Sequence, residues 1–439
     1  MGDDPPEGDR QVAPEDDPGA VGSELQAGRL DSEHGDTVPD AVAPPPHHPR
    51  FPLIDGMRAI AVLSVVLVHT TGEARDLPTV GRLLTHLSIG VTIFFLISGF
   101  LLYRPFIAHR GGGAAAPSVV QYAKRRLLRI YPAYWLVLTV LVIAPGLTGV
   151  GNGEWWAHYG LVQTLPLPGE SECNVFVFDC GLTQTWSLVV EVTFYAALPL
   201  YVVAAAHLAR GRSVRYWMRL ELLLLAGLSI VSVLLNFVVL GGTARSWVAP
   251  SVIGYVFWFA LGMGLAVASV GLEHRKRQPA MIRLVTSWPL IPWALAFAAY
   301  ASLSFWLPNA FFIVAKDQLI VIHLAFGAIA ALLLLPAIFG DHLGGLPRRV
   351  LSHPVMAWLG LISYGIFLWH YVITRQLGGP GANLDPGPLL VATLAISIPC
   401  AAASYYLVER PLLRLKYRRV RDVMGLGERQ PSQAPHRVP

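Results

Sequence analysis

Apolar runs of about twenty residues recur along the whole chain, each long enough to cross ~30 Å of hydrocarbon as a helix. That recurrence rules out a single large buried core of the soluble kind. Charged residues make up 14% of the sequence and hydrophobic ones 54%, with mean hydropathy +0.51; a soluble domain carries about 25% charged residues. The fold class expected is an all-α, polytopic integral membrane protein with about ten transmembrane helices. Their apolar cores fall at 53–71, 86–107, 128–146, 185–207, 219–240, 251–271, 287–306, 318–339, 356–376 and 388–409. Prolines interrupt two of them, Pro132 and Pro145 the third, and Pro289, Pro292 and Pro308 the seventh.

Lys and Arg collect in alternate loops, which sets orientation by the positive-inside rule. One set holds Arg110, Lys124, Arg125 and Arg126, then Arg210, Arg212 and Arg215. It continues with Arg275, Lys276, Arg277 and Arg283, then Arg348 and Arg349, and a tail from Arg410 to Arg421. The intervening loops hold only Arg75 and Arg82, Arg245 and Lys316. Both termini are therefore expected in the cytoplasm, with the protein in the inner or plasma membrane.

The formal net charge of +5 conceals two unlike parts. Residues 1–50 hold twelve Asp and Glu against three Arg, a balance of −9, so the rest of the chain carries +14. This acidic, Pro- and Gly-rich leader buries too little apolar surface to fold and is expected to be disordered. It also lacks the charged-then-apolar start of a signal peptide. Residues 51–411 form the membrane domain and 412–439 a basic cytoplasmic tail. The basic excess flanks membrane spans, so the expected partner is the lipid bilayer and no nucleic acid. Cys173 and Cys180 share the longest outer loop, about 35 residues between spans three and four, where the compartment favours a disulfide. No metal-ligand spacing is present, and no metal is expected.

Orientation turns sequence position into depth. The first span reads Ile54-Asp55-Gly56-Met57-Arg58 and ends at His69. Eleven helical residues return to nearly the same face, displaced by ~16 Å. Ionisable side chains within a span are costly and mark function by default. Arg58 lies towards the cytoplasm with Arg126 and Arg129, whereas His69, Glu191 and His370 fall in the outer half and are expected to converge. Structural readings compete. Arg58 can snorkel beside Asp55, Arg125 can be a membrane flank, and Glu191 can serve as a structural counter-ion. His69 can simply bond a neighbouring carbonyl, and His370, next to Trp369, can belong to an interfacial belt.

Six stretches in order carry a family likeness. They are Ile54-Asp-Gly-Met-Arg58 with His69 eleven residues on, Phe94-Phe-Leu-Ile-Ser98-Gly-Phe100 and Arg126-Leu-Leu-Arg129-Ile-Tyr-Pro132. Then come Thr185-Trp186-Ser-Leu-Val-Val-Glu191 with Phe194-Tyr195, Ser363-Tyr-Gly-Ile-Phe-Leu-Trp-His370, and Glu409-Arg410-Pro411. Across most of residues 50–415 the chain resembles the acyltransferase 3 family of integral-membrane O-acyltransferases, in the form without a fused SGNH hydrolase domain. The resemblance implies an acyl donor, acyl-CoA and commonly acetyl-CoA, on the cytoplasmic side. The acceptor it implies is a carbohydrate or glycoside hydroxyl, on a cell-envelope glycan or on a secondary metabolite such as a macrolide. It also implies His69 and Glu191 as catalytic, and Arg58, Arg126 and Arg129 as the donor-binding arginines, with Ser98, Trp186 and His370 as further site candidates.

Guanidinium groups suit the donor's phosphates because they bind them bidentately. His69 suits either general-base or nucleophilic catalysis, and Glu191 is expected to orient its ring as a triad carboxylate does. A transporter is the rival reading. Against it stand the lack of an internal repeat and the layering of cations inside and His/Glu outside.

Overall fold

A computed structural model describes residues 51–71, 78–111, 116–144, 147, 150, 155–164, 181–239, 251–273, 277–308, 316–340, 344–378 and 384–415. The acidic leader, the loop with Cys173 and Cys180, and the end of the basic tail lie outside the described residues.

Most of the described residues are helical. In chain order they form α1 (Pro52–Thr71), α2 (Pro78–Thr85), α3 (Ile89–Arg110), α4 (Val119–Ile143), α5 (Trp155–Gly160), α6 (Trp186–Leu208), α7 (Val214–Val233) and α8 (Val252–Glu273). They continue with α9 (Ala280–Ser287), α10 (Leu290–Trp306), α11 (Lys316–Ile338), α12 (Leu346–Ser352), α13 (Pro354–Gly378), α14 (Pro386–Ser404) and α15 (Arg410–Leu415). Among them, nine helical segments are long and apolar enough to cross a membrane, or ten if the bent pair α9–α10 counts as one span.

Two expected spans differ in detail. The third begins at Val119, because Ser118 caps it by accepting from the Gln121 amide, so Lys124, Arg125 and Arg126 ride on helix rather than loop. The seventh is broken. α9 and α10 meet at 92° across Trp288-Pro289, where the proline ring and its missing N–H disfavour a continuous helix. π-turns extend two other spans, Leu234–Val239 after α7 and Tyr405–Glu409 after α14.

Helix α1 is the central element, with thirteen of its twenty residues buried. Leu53, Ile54, Met57 and Ala61 belong to one core cluster with residues of α3, α8 and α11, and Val62, Val65 and Val66 to a second with residues of α4 and α13; α1 itself packs directly on α3, α11, α12, α13 and α14. α1 and α13 run parallel in close contact. Gly360 of α13 lies against the Asp55 backbone, where a Cβ would collide, and His370 meets His69 ten residues further on. The polar residues of α1 are thereby held among protein groups.

Two polar clusters brace the scaffold. Arg348, in α12, was expected to be a loop charge. It is 1% exposed and donates to the carbonyls of Pro336 (3.1 Å), Phe339 (2.8 Å), Val285 (3.3 Å), Thr286 (3.2 Å) and Gly344 (3.2 Å). It thus caps the carbonyl ends of α9 and α11, where a cation is favoured. Glu221 of α7 is 1% exposed and accepts from Arg110 (2.7 Å), Tyr103 (2.5 Å), Tyr201 (2.7 Å) and Trp217 (3.2 Å). It ties α3, α6 and α7 together.

Candidate functional site

At one end of α1, Nδ1 of His69 lies 3.0 Å from Nε2 of His370, with ring centroids 5.2 Å apart. The protonation pattern follows from the neighbours. His370 Nδ1 is 3.1 Å from the Ile366 carbonyl, which can only accept, so that nitrogen carries the proton. In the neutral ring Nε2 is then an acceptor, and His69 Nδ1 must donate to it. The lone pair of His69 is therefore on Nε2, away from His370. Tyr371 packs edge-on against His69 at 5.0 Å. His370 is fully buried, and the Thr374 hydroxyl donates to its carbonyl at 2.8 Å. Gln184, in the turn before α6, donates to the Leu368 carbonyl at 3.0 Å.

Glu191 does not join this pair. Ser98 donates to its carboxylate, and so does the Tyr195 hydroxyl at 2.5 Å, both to Oε1. Its charge reaches Arg58. The expected convergence thus holds for the two histidines, while the carboxylate sits with the arginine group. The reason is geometric: Glu191 lies five residues into α6 and shares its level with Ser98 of the parallel helix α3.

The arginines gather towards the other end of α1. Arg58 Nη1 is 3.7 Å from Asp55 Oδ1 and within electrostatic reach of Arg129. Arg126 stands over the Tyr195 ring, Cζ to centroid 5.8 Å, a cation–π distance. The Tyr122 hydroxyl donates to the Tyr195 carbonyl at 3.2 Å. Arg126 Nε and Arg129 Nη2 are buried with no hydrogen-bond partner. Trp186 packs on Tyr255 at 5.3 Å, remote from this charge cluster in its contacts. Arg126 and Arg129, each with an open donor position, lie with Arg58 in one layer, an arrangement suited to an anion.

The comparisons agree with this architecture. The family model described as an acyltransferase domain, that of the acyltransferase 3 family, matches residues 51–406. The chain belongs to this family and is an acyltransferase. Acyltransferase MdmB of Streptomyces mycarofaciens is 26% identical over 421 residues, covering 89% of this chain and 98% of that protein. YrhL of Bacillus subtilis is 26% identical over 392 residues, 83% of this chain and 55% of its own length. O-acetyltransferase OatA of Staphylococcus aureus is 23% identical over 385 residues, 83% of this chain and 58% of its own. The chain thus spans little more than half of the latter two relatives. No solved structure matches.

Sequence reasoning missed Glu221, although a carboxylate between Leu220 and Leu222 in an apolar run is itself a signal. It also gave Glu409 no role beyond its motif.

Proposed function

We propose that this acyltransferase moves an acyl group, commonly acetyl, from acyl-CoA to a hydroxyl of a cell-envelope glycan or exported glycoside. The observation that carries the reading is the pairing of His69 with His370, Nδ1 donating to Nε2, at the far end of the helix that bears Arg58. The relatives named as O-acetyltransferases support oxygen as the acceptor atom.

In this reading Arg58, Arg126 and Arg129 bind the donor's phosphates from the cytoplasmic side, the side assigned by the loop charges. The slim pantetheine arm then spans the ~16 Å helix rise to His69. Nε2 takes the proton of the acceptor hydroxyl as its oxygen attacks the thioester carbonyl. The C–S bond breaks, the coenzyme leaves as thiolate, and the imidazolium returns its proton to sulfur. His370 acts as the positioning residue: it fixes the tautomer of His69 and accepts from Nδ1–H while the ring is charged. Glu191 acts with the arginines, balancing Arg58 and holding Ser98 and Tyr195.

The test is transfer from radiolabelled acetyl-CoA by purified full-length protein. His69→Ala is expected to lower turnover by about 10²–10⁴-fold with unchanged thermal melting. Wild-type turnover in that variant removes the reading.

A further inference from the structure

The last span, Pro386–Leu413, carries the π-turn Tyr405–Glu409 near its end. Such turns break helical regularity and collect at functional positions. This one delivers Glu409 to a site where it is 1% exposed and its Oε1 accepts no hydrogen bond. The cations that act on its carboxylate are Arg129 first and Arg58 second. Arg129 has its own buried, unpartnered Nη2. No ion pair closes between them; the salt bridge of Arg58 goes to Asp55.

A buried carboxylate and a guanidinium with a buried nitrogen, each with an open atom and each in the other's field, would ordinarily satisfy one another directly. Remaining apart, they leave the guanidinium open to a third, anionic group.

We propose that Glu409 is the resting counter-ion of Arg129, acting on this cation through space without pairing to it while the donor site is empty, and competing with the donor's phosphate for it. The proposal rests on the reading of the arginine layer as the donor site.

CoA is the probe, with its affinity measured calorimetrically on purified full-length protein. Glu409→Gln keeps the shape and removes the competing charge, so CoA should bind about fivefold or more tightly. In an Arg129→Gln background the same change should have no effect. Glu409→Asp keeps the charge and should stay within about twofold of wild type; this arm stands if the Gln variant fails to reach the membrane. Unchanged or weaker binding in a folded Glu409→Gln, or an equal gain in both backgrounds, overturns the proposal. So does an Asp variant whose affinity departs from wild type beyond that range. If Arg129→Gln alone leaves CoA affinity intact, the donor-site reading falls and this proposal with it. If Arg129→Gln weakens CoA while Glu409→Gln gives no gain, only the role of Glu409 falls.

Discussion

Arg348, a buried arginine, and Arg129, a half-buried one with a buried Nη2, are equipped in opposite ways. The Arg348 fork is filled by carbonyl oxygens from five residues. Arg129 has a nitrogen with no acceptor. The carboxylates divide likewise: Glu221 accepts from four side chains, whereas Glu409 keeps an empty oxygen. An unsatisfied buried polar group costs about 1–3 kcal/mol. A fold keeps such groups where something other than stability requires them, and here they share one layer with Arg58 and Arg126. Closed clusters hold the helices together; the open cluster is the one proposed to bind the donor.

That contrast is breakable. Arg348→Met strands several helix-end carbonyls at once. Stability should fall by about 3 kcal/mol or more, read as a lowered melting temperature, with transfer per folded molecule unchanged. Unaltered melting would remove the distinction between the two arginines. Arg129→Gln should do the reverse, raising the donor KM by roughly 10–100-fold, the worth of a charge-assisted hydrogen bond, with melting unchanged or improved. A fall in stability as large as that of Arg348→Met would make Arg129 structural too. His370→Ala removes one hydrogen bond to the His69 ring. Turnover should drop by about 5–30-fold with the donor KM held. A change in KM alone would place the pair outside the transfer step.

Much of this was legible in the residues because membrane physics is strict. Helices follow from apolar run length, and the rarity of ionisable groups in spans singles out Arg58, His69 and Glu191. The breaks were less legible. Pro289 announced an interruption, yet only packing turned it into a 92° bend between α9 and α10. The Ser118 cap starts α4 nine residues before the point where the apolar pattern placed that span. Glu191 illustrates the limit most clearly. Depth put it near His69, whereas rotation about α6 and the adjacent hydroxyl of Ser98 gave it to the arginines.

The sequence by itself determined that the chain is a helical membrane protein, that it carries the motifs of its family, and that cations and imidazoles occupy different levels along α1. Partnership was decided only by tertiary structure: which histidine faces which, which arginine is closed by carbonyls, and which carboxylate stands open beside Arg129. The physical reason is that depth along a helix is additive in residue number. Contact between helices depends on rotation, tilt and the close approach that Gly360 permits, and these arise from the packing of the whole bundle.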